Sequence, residues 1–356
     1  PPAMFWRAPK DSDSVFYGRG VDSKAYDGLR RTANDLIDST LAHHSMDAGD
    51  RKAISGLVDR LLGGYPTMVS VAGHTEPAAG VTSKDPMDPA YLKSSFGWYL
   101  YGFEEGSDRM MSFLKDFAAA YNKPTMQKWL RTKAKVDAKM LPSARVSPFA
   151  AKGMTGAQGM EIKFTLPEPS APSAEVPGPK KPAAKAKPST MSVFVVVMPD
   201  GPRTWMAVAA DRAVLESHLL AVKTGAPDSG TIASRTGIEE IKATRAVSAG
   251  FITMSGLFSA LSSSLAAEGN PKLAPALARV PNHGETPIVF TSSAQPGTPS
   301  TVSVQFQVNK GSIDDISSII AAMTNGHRHH AGSRLKVPMA PPPPAPPAPP
   351  PPPHAP

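Results

Sequence analysis

The sequence predicts an α+β chain: mainly antiparallel sheet with amphipathic helices packed on one face, divided by one Pro-rich segment and ended by another. Three observations predict it. Alternating strands joined by a tight turn are plain at residues 192–209. Stretches with three- and four-residue apolar spacing are scattered among the strands. No strand–glycine loop–helix run of the kind that opens a parallel nucleotide-binding sheet occurs.

The elements follow in order. Residues 14–19 read as an extended stretch. Leu29, Ala33, Leu36, Ile37 and Leu41 then mark one face of a helix, and Ile54, Leu57, Val58, Leu61 and Leu62 the stripe of a second, with Asp50 as its expected cap. Residues 65–73 read as a strand, 76–89 as a loop and 96–103 as an aromatic-rich strand. Ser107 or Asp108 opens a helix that buries Met110, Met111, Leu114 and Phe117 and stops before Pro124; Trp129 and Leu130 continue a shorter one, and residues 159–166 close as a strand.

Beyond the Pro-rich segment, strands 192–198 and 203–209 flank Asp200-Gly201, whose glycine supplies a tight hairpin turn. Asp211 caps a helix with Val214, Leu215, Leu219 and Val222 on one side. A short helix at 237–243, a strand at 246–253, a helix at 257–267, strands at 287–293 and 301–308, and a last helix at 314–323 complete the chain. The element order leaves open whether the two halves are similar modules.

Of 39 prolines, seven lie in residues 167–188 and thirteen in 338–356, so the excess is local and the remainder can bury a sizeable core. The expected organisation is an α+β half at 1–166, a disordered Pro/Ala/Lys linker at 167–190, a second α+β half at 191–335 and a polyproline-like tail at 336–356. Strands 159–166 and 192–198 have the length and pattern to pair with each other. The segment between them is then an insertion in a hairpin of one continuous sheet. Residues 341–356 suit a polyproline II spacer of about 50 Å at about 3.1 Å per residue.

The formal charge of +8 is spread over the chain as +4 in residues 1–166, +2 in 167–190 and +2 in 191–356. That distribution lacks the basic stripe with interleaved aromatics that specific nucleic-acid binding needs. With no cysteine, disulfides, thiolate metal sites and cysteine nucleophiles are excluded. No apolar run is long enough for a transmembrane helix. The chain starts at Pro1, as expected after loss of a secretory leader, and the Pro-rich segments suit spacers in a cell envelope. The expected location is extracytoplasmic: periplasmic, envelope-anchored or secreted.

No motif specifies a reaction or a cofactor. Ser112-Phe113-Leu114-Lys115 and Lys223-Thr224-Gly225 match the spacing of penicillin-recognising acyl enzymes, but the first falls on the buried stripe of a helix and the second at a helix end. His327, His329 and His330 are close enough to hold a borderline divalent ion, though Arg328 between them adds repulsion and no further ligand is evident. In the aromatic strand, Phe96, Trp98 and Leu100 point one way and Tyr99, Tyr101 and Phe103 the other. Apolar residues on both faces imply a central strand, or a groove in which Trp98, Tyr99 and Tyr101 meet a ligand. The leading expectation is a non-enzymatic exported bacterial protein that binds a protein or cell-envelope component. The alternatives are a hydrolase with its site between the halves and a metal-binding accessory protein using the three histidines. The oligomeric state is not legible.

Overall fold

The computed structural model describes residues 1–20, 23–61, 64–75, 89–133, 141–166, 189–224, 228–243, 245–257, 280–295 and 301–332. Within them the chain runs β1 (Ser14–Arg19), α1 (Asp27–His43), α2 (Ala48–Leu61), β2 (Thr67–Gly73), α3 (Pro89–Phe96), β3 (Trp98–Phe103), α4 (Asp108–Tyr121), α5 (Pro124–Thr132), β4 (Ser143–Pro148) and β5 (Gln158–Thr165). It continues with β6 (Thr190–Asp200), β7 (Arg203–Ala209), α6 (Arg212–Thr224), α7 (Glu239–Ala243), β8 (Ser248–Thr253), β9 (Pro287–Gln295), β10 (Thr301–Val308) and α8 (Lys310–Gly332). This is an α+β fold with one antiparallel sheet of ten strands in the order β10-β9-β8-β1-β2-β3-β7-β6-β5-β4.

Both halves of the sequence enter this sheet. β8 pairs with β1, setting Phe251 opposite Val15, and β7 pairs with β3, setting Ala207 opposite Leu100. The strands on either side of the Pro-rich segment also pair, from Gln158 opposite Val197 to Thr165 opposite Thr190. Residues 167–188 therefore join two neighbouring strands.

The aromatic strand is central, between β2 and β7, and its alternation feeds two cores. Trp98 and Leu100 join Val69, Val71, Trp205, Leu215 and Leu219 on one side. Phe103 joins Met110, Leu114, Met160 and Val197 on the other, with Tyr101 at the margin. Helices accordingly cover both faces, α6 and α7 on the first and α4 on the second, because β3 and β6 are apolar on both. Burying such side chains stabilises by about 1.5–3 kcal/mol each. Gly73 makes the first core possible: a Cβ there would lie 2.3 Å from Trp98 Cζ2, so the indole rests directly on β2.

Several elements differ from the sequence reading in instructive ways. Asp47, not Asp50, caps α2, accepting a hydrogen bond from the Gly49 amide at 2.8 Å. Asp50 is buried instead and takes Lys123 Nζ at 3.2 Å. α1 buries no residue; Leu29 and Leu36 face outward while the helix packs on α2, which packs on α4. Phe96 ends α3 and Gly97, at φ 69°, turns the chain into β3. β4 was hidden by its polar sequence. The last helix begins at Lys310 and reaches Gly332. The expected loop at 76–89 and helix at 257–267 fall almost wholly outside the described residues. Among the described residues no helix is long and apolar enough to cross a membrane.

The shared sheet makes a prediction. A specific protease site inserted between Leu166 and Ser189, once cut, leaves fragments that co-elute on native gel filtration and separate only in denaturant. Fragments that part in buffer would contradict the interleaved strand order.

Candidate functional site

Six strands of the sheet bring one set of ends together: the loop before β1, the exit of β2, the start of β3, the exit of β8, the approach to β9 and the exit of β10. With α6 and the 3-10 turn at Ile232–Ser234 they enclose an open cleft of about 1030 Å³. The cleft draws on both halves of the sequence, from Lys10 to Asn309.

Its floor is Asp13, 6% exposed. One carboxylate oxygen, Oδ2, accepts from the backbone N–H of His74 and from His74 Nδ1, both at 2.7 Å. The other, Oδ1, accepts from Ser255 Oγ at 3.1 Å and from Thr253 Oγ1 at 3.4 Å. Ser255 and Thr253 are themselves 2.9 Å apart. The Nδ1 contact puts the imidazole proton of His74 on that nitrogen and makes Nε2 the basic one. The ring remains 45% exposed along the cleft wall.

A second histidine–aspartate pair stands beside it. His218 on α6 stacks on Trp98 with ring centroids 3.9 Å apart, which carries the indole's contact into the cleft. His218 Nδ1 is 2.8 Å from the Val214 carbonyl and Nε2 is 3.3 Å from Asp11 Oδ2. A ring makes both contacts as donors only when it carries both protons. The hydrogen bond from His218 holds the Asp11 carboxyl below the usual carboxylate range, outweighing burial, which pushes it up.

Arg235 braces the wall. Its guanidinium donates to the carbonyls of Ser12 (2.7 Å), Lys10 (3.2 Å) and Glu285 (2.8 Å) and lies over the Phe251 ring at 4.7 Å. Burial lowers its pKa, opposed by Glu285, Asp13 and Asp11. These bonds tie the segment before β1 to the approach to β9. Arg235 thus positions the wall, beside which Lys10, Asp11, Thr75, Ser234, Thr236 and Glu285 line the cleft.

Of the aromatic residues singled out from sequence, only Trp98 lines the cleft. Tyr99 points to the opposite face, 38% exposed and edge-on to Phe96, and Tyr101 is half-buried in the second core, where burial raises its phenol pKa. The three are not brought together. His327, His329 and His330 lie along the backbone of α8, and their side chains fall outside the described residues. Among the described residues no group of three or more His, Asp or Glu side chains is placed to hold a metal ion. Asp11, Asp13, His74 and His218 were missed by sequence reasoning. The one local signal was Asp11-Ser12-Asp13 ahead of a strand, which is ordinary turn chemistry.

The Asp11–His218 contact gives a pH prediction. A carboxyl whose folded pKa is depressed stabilises the fold above its unfolded value, and that contribution is lost as pH falls through the folded value. Asp11 is 68% exposed, so solvent screening keeps the stability effect small. The expected result in a ¹³C NMR titration is an Asp11 midpoint below the ordinary carboxylate range that rises on His218→Phe. A midpoint unmoved by the substitution would remove this contact as its cause. No protein-family model, curated protein or solved structure matches the chain, so the cleft stands on its own geometry.

Proposed function

We propose that the protein is a binding protein that takes a hydroxyl-rich ligand, such as a short envelope glycan segment, into the cleft. The observation that carries the reading is the fixed polar lining. Hydroxyls of Thr75, Ser234 and Thr236 stand with the carboxylates of Asp11 and Glu285 around one open space. Groups that both donate and accept suit sugar hydroxyls, which do the same, and Val214 and Pro287 supply apolar patches for a ring face. An extracytoplasmic location is part of the proposal. Its support is compositional: the Pro-rich stretches at 167–188 and 341–356 are of the kind that space a binding unit within an envelope.

The test is NMR titration with neutral N-acetylglucosamine oligomers and with soluble peptidoglycan fragments. Shift changes are expected at Thr75, Ser234 and Thr236 and are lost in Thr236→Trp, which fills the cleft. If neither probe moves these resonances, or the filled variant responds equally, the reading fails.

One observation favours a hydrolase as the second reading. The buried Asp13 carboxylate, 2.7 Å from Nδ1 of a half-exposed histidine, is the arrangement that fixes a general base. Ser255, the serine at hand, bonds Asp13 instead of His74, so the arrangement suits activation of water and not a serine nucleophile. In a panel of fluorogenic glycosides, esters and phosphodiesters, this reading expects slow turnover. His74→Gln then reduces it by about 10²–10⁴-fold with the melting temperature little changed. Turnover indifferent to His74 would sink it.

A further inference from the structure

We propose that β10 is the pairing edge of a two-fold dimer formed with a second copy of this chain. β10 is the outermost strand of the sheet, all eight of its residues are exposed, and among the described residues no strand pairs with its outer side. Its sequence, Thr-Val-Ser-Val-Gln-Phe-Gln-Val, contains no charge and no proline. Proteins ordinarily protect such an edge with charges, proline, a bulge or a short strand. The opposite edge of this sheet is protected in that way: β4 is six residues long, carries Arg145 and ends on Pro148, which has no N–H to donate. The contrast within one sheet marks β10 as an edge left open.

The side chains agree. Val302, Val304, Phe306 and Val308 alternate onto one face and are 67%, 50%, 71% and 45% exposed. Four of the thirteen exposed large apolar side chains among the described residues therefore share one face of a single strand. Such concentration is the mark of an interaction surface, whereas single exposed apolar residues are ordinary.

The strand also selects its occupant. Opposed residues in an antiparallel pair share a face, so a two-fold pairing must match even-numbered residues with even and odd with odd. A register centred on Gln305 sets Val302 opposite the second copy's Val308 and Val304 opposite its Phe306, twice over. All four apolar side chains then meet apolar partners, and on the other face Ser303 meets Gln307 and Gln305 meets Gln305. A register centred on Val304 leaves Val308 without an apolar partner. With no charge on either edge, self-approach carries no like-charge repulsion, and the two-fold closes without leaving a growing end.

The chain has no native cysteine, so single cysteines report the register directly. Two copies of Gln305→Cys face each other across the axis, with Cβ atoms about 4.5–5.5 Å apart. Two copies of Gln307→Cys are offset by four residues, about 14 Å along the strands at about 3.4 Å per residue, beyond disulfide reach. Under mild oxidation of the full chain, Gln305→Cys is expected to give the covalent dimer and Gln307→Cys to remain monomeric. Sedimentation velocity on the unmodified chain should show a dimer that grows with concentration and is lost in Val304→Lys/Phe306→Lys. Both positions are solvent-exposed, so that variant is expected to keep the parent's thermal melt; should it misfold, the cysteine pair decides alone. A chain that stays monomeric at every concentration, including one whose β10 instead takes up an extended peptide, overturns the proposal. So does equal crosslinking at the two positions.

Discussion

The fold and its cleft hang on one buried carboxylate. Asp13 immediately precedes β1, and through it the chain is fastened in both directions. Its N–H donates to the Ala72 carbonyl of β2, and its carbonyl accepts from the Thr253 N–H of β8. Its side chain then gathers His74 just past β2 and Thr253 and Ser255 at the end of β8. A carboxylate buried without partners is costly, and hydrogen bonds to a charged group each return about 1.5–3 kcal/mol net. Asp13 therefore stabilises only an arrangement in which β1, β2 and β8 end together. The packing is tight enough that a Cβ on Gly256 would fall 2.5 Å from that of Asp13. Here the first and second halves of the sequence become one sheet, and the same atoms form the floor of the cleft.

From that floor outward the walls are set by backbone carbonyls as much as by side chains. Arg235 spends its donors on three carbonyls, and Ser12 Oγ donates to the Pro9 carbonyl at 2.6 Å. The segment before β1 is thereby held along residues 230–235, reinforced by Lys10 N to the Gly230 carbonyl at 3.0 Å and Ile232 N to the Ala8 carbonyl at 2.9 Å. The polar side chains that remain thus stand on a braced frame. A ligand meeting Asp11, His74 or Thr236 meets groups whose supporting backbone is already fixed, which lowers the ordering cost of binding.

Much of the fold was legible because local chemistry and tertiary context agree. The β6–β7 hairpin is announced by Asp200-Gly201, with Gly201 at φ 62°, and Asp211 caps α6 by accepting from Ala213 N and Val214 N. Where the two diverge, the sequence misleads. The apolar spacing of α1 is real, but the helix packs chiefly on α2, and Leu29 and Leu36 stay outside. Asp50 looked like a cap, but it is buried and a contact from the half-exposed Lys123 claims it. The cleft was hardly legible, for a physical reason. Its residues are single polar side chains at strand ends from Lys10 to Asn309, each ordinary in its own neighbourhood. They acquire chemistry only when the strand order sets β8 beside β1. No periodicity reports a long-range pairing of that kind.

The strand order also ties the cleft to the edge of the sheet. Asn309 directly follows β10, and its side-chain amide donates to the carbonyls of Pro287 at 3.1 Å and Gly237 at 3.3 Å. Asn282 reaches the Gly311 carbonyl at 3.1 Å, and the buried Asp315 of α8 accepts from the amides of Asn282 and Gly284 at 2.9 Å each. Pro287, Gly237, Asn282 and Asn309 all line the cleft. One wall is therefore built from the residues that anchor β9, β10 and α8, and its rigidity depends on how firmly the outermost strand is held. A strand bonded on one side only is the weakest-held strand of a sheet, prone to open locally. A partner strand on the outer side of β10 would remove that weakness, steadying Asn309 and with it the wall. The edge and the cleft are thus mechanically one unit, although the edge is read from an uncharged strand and the cleft from a buried aspartate at the sheet's centre.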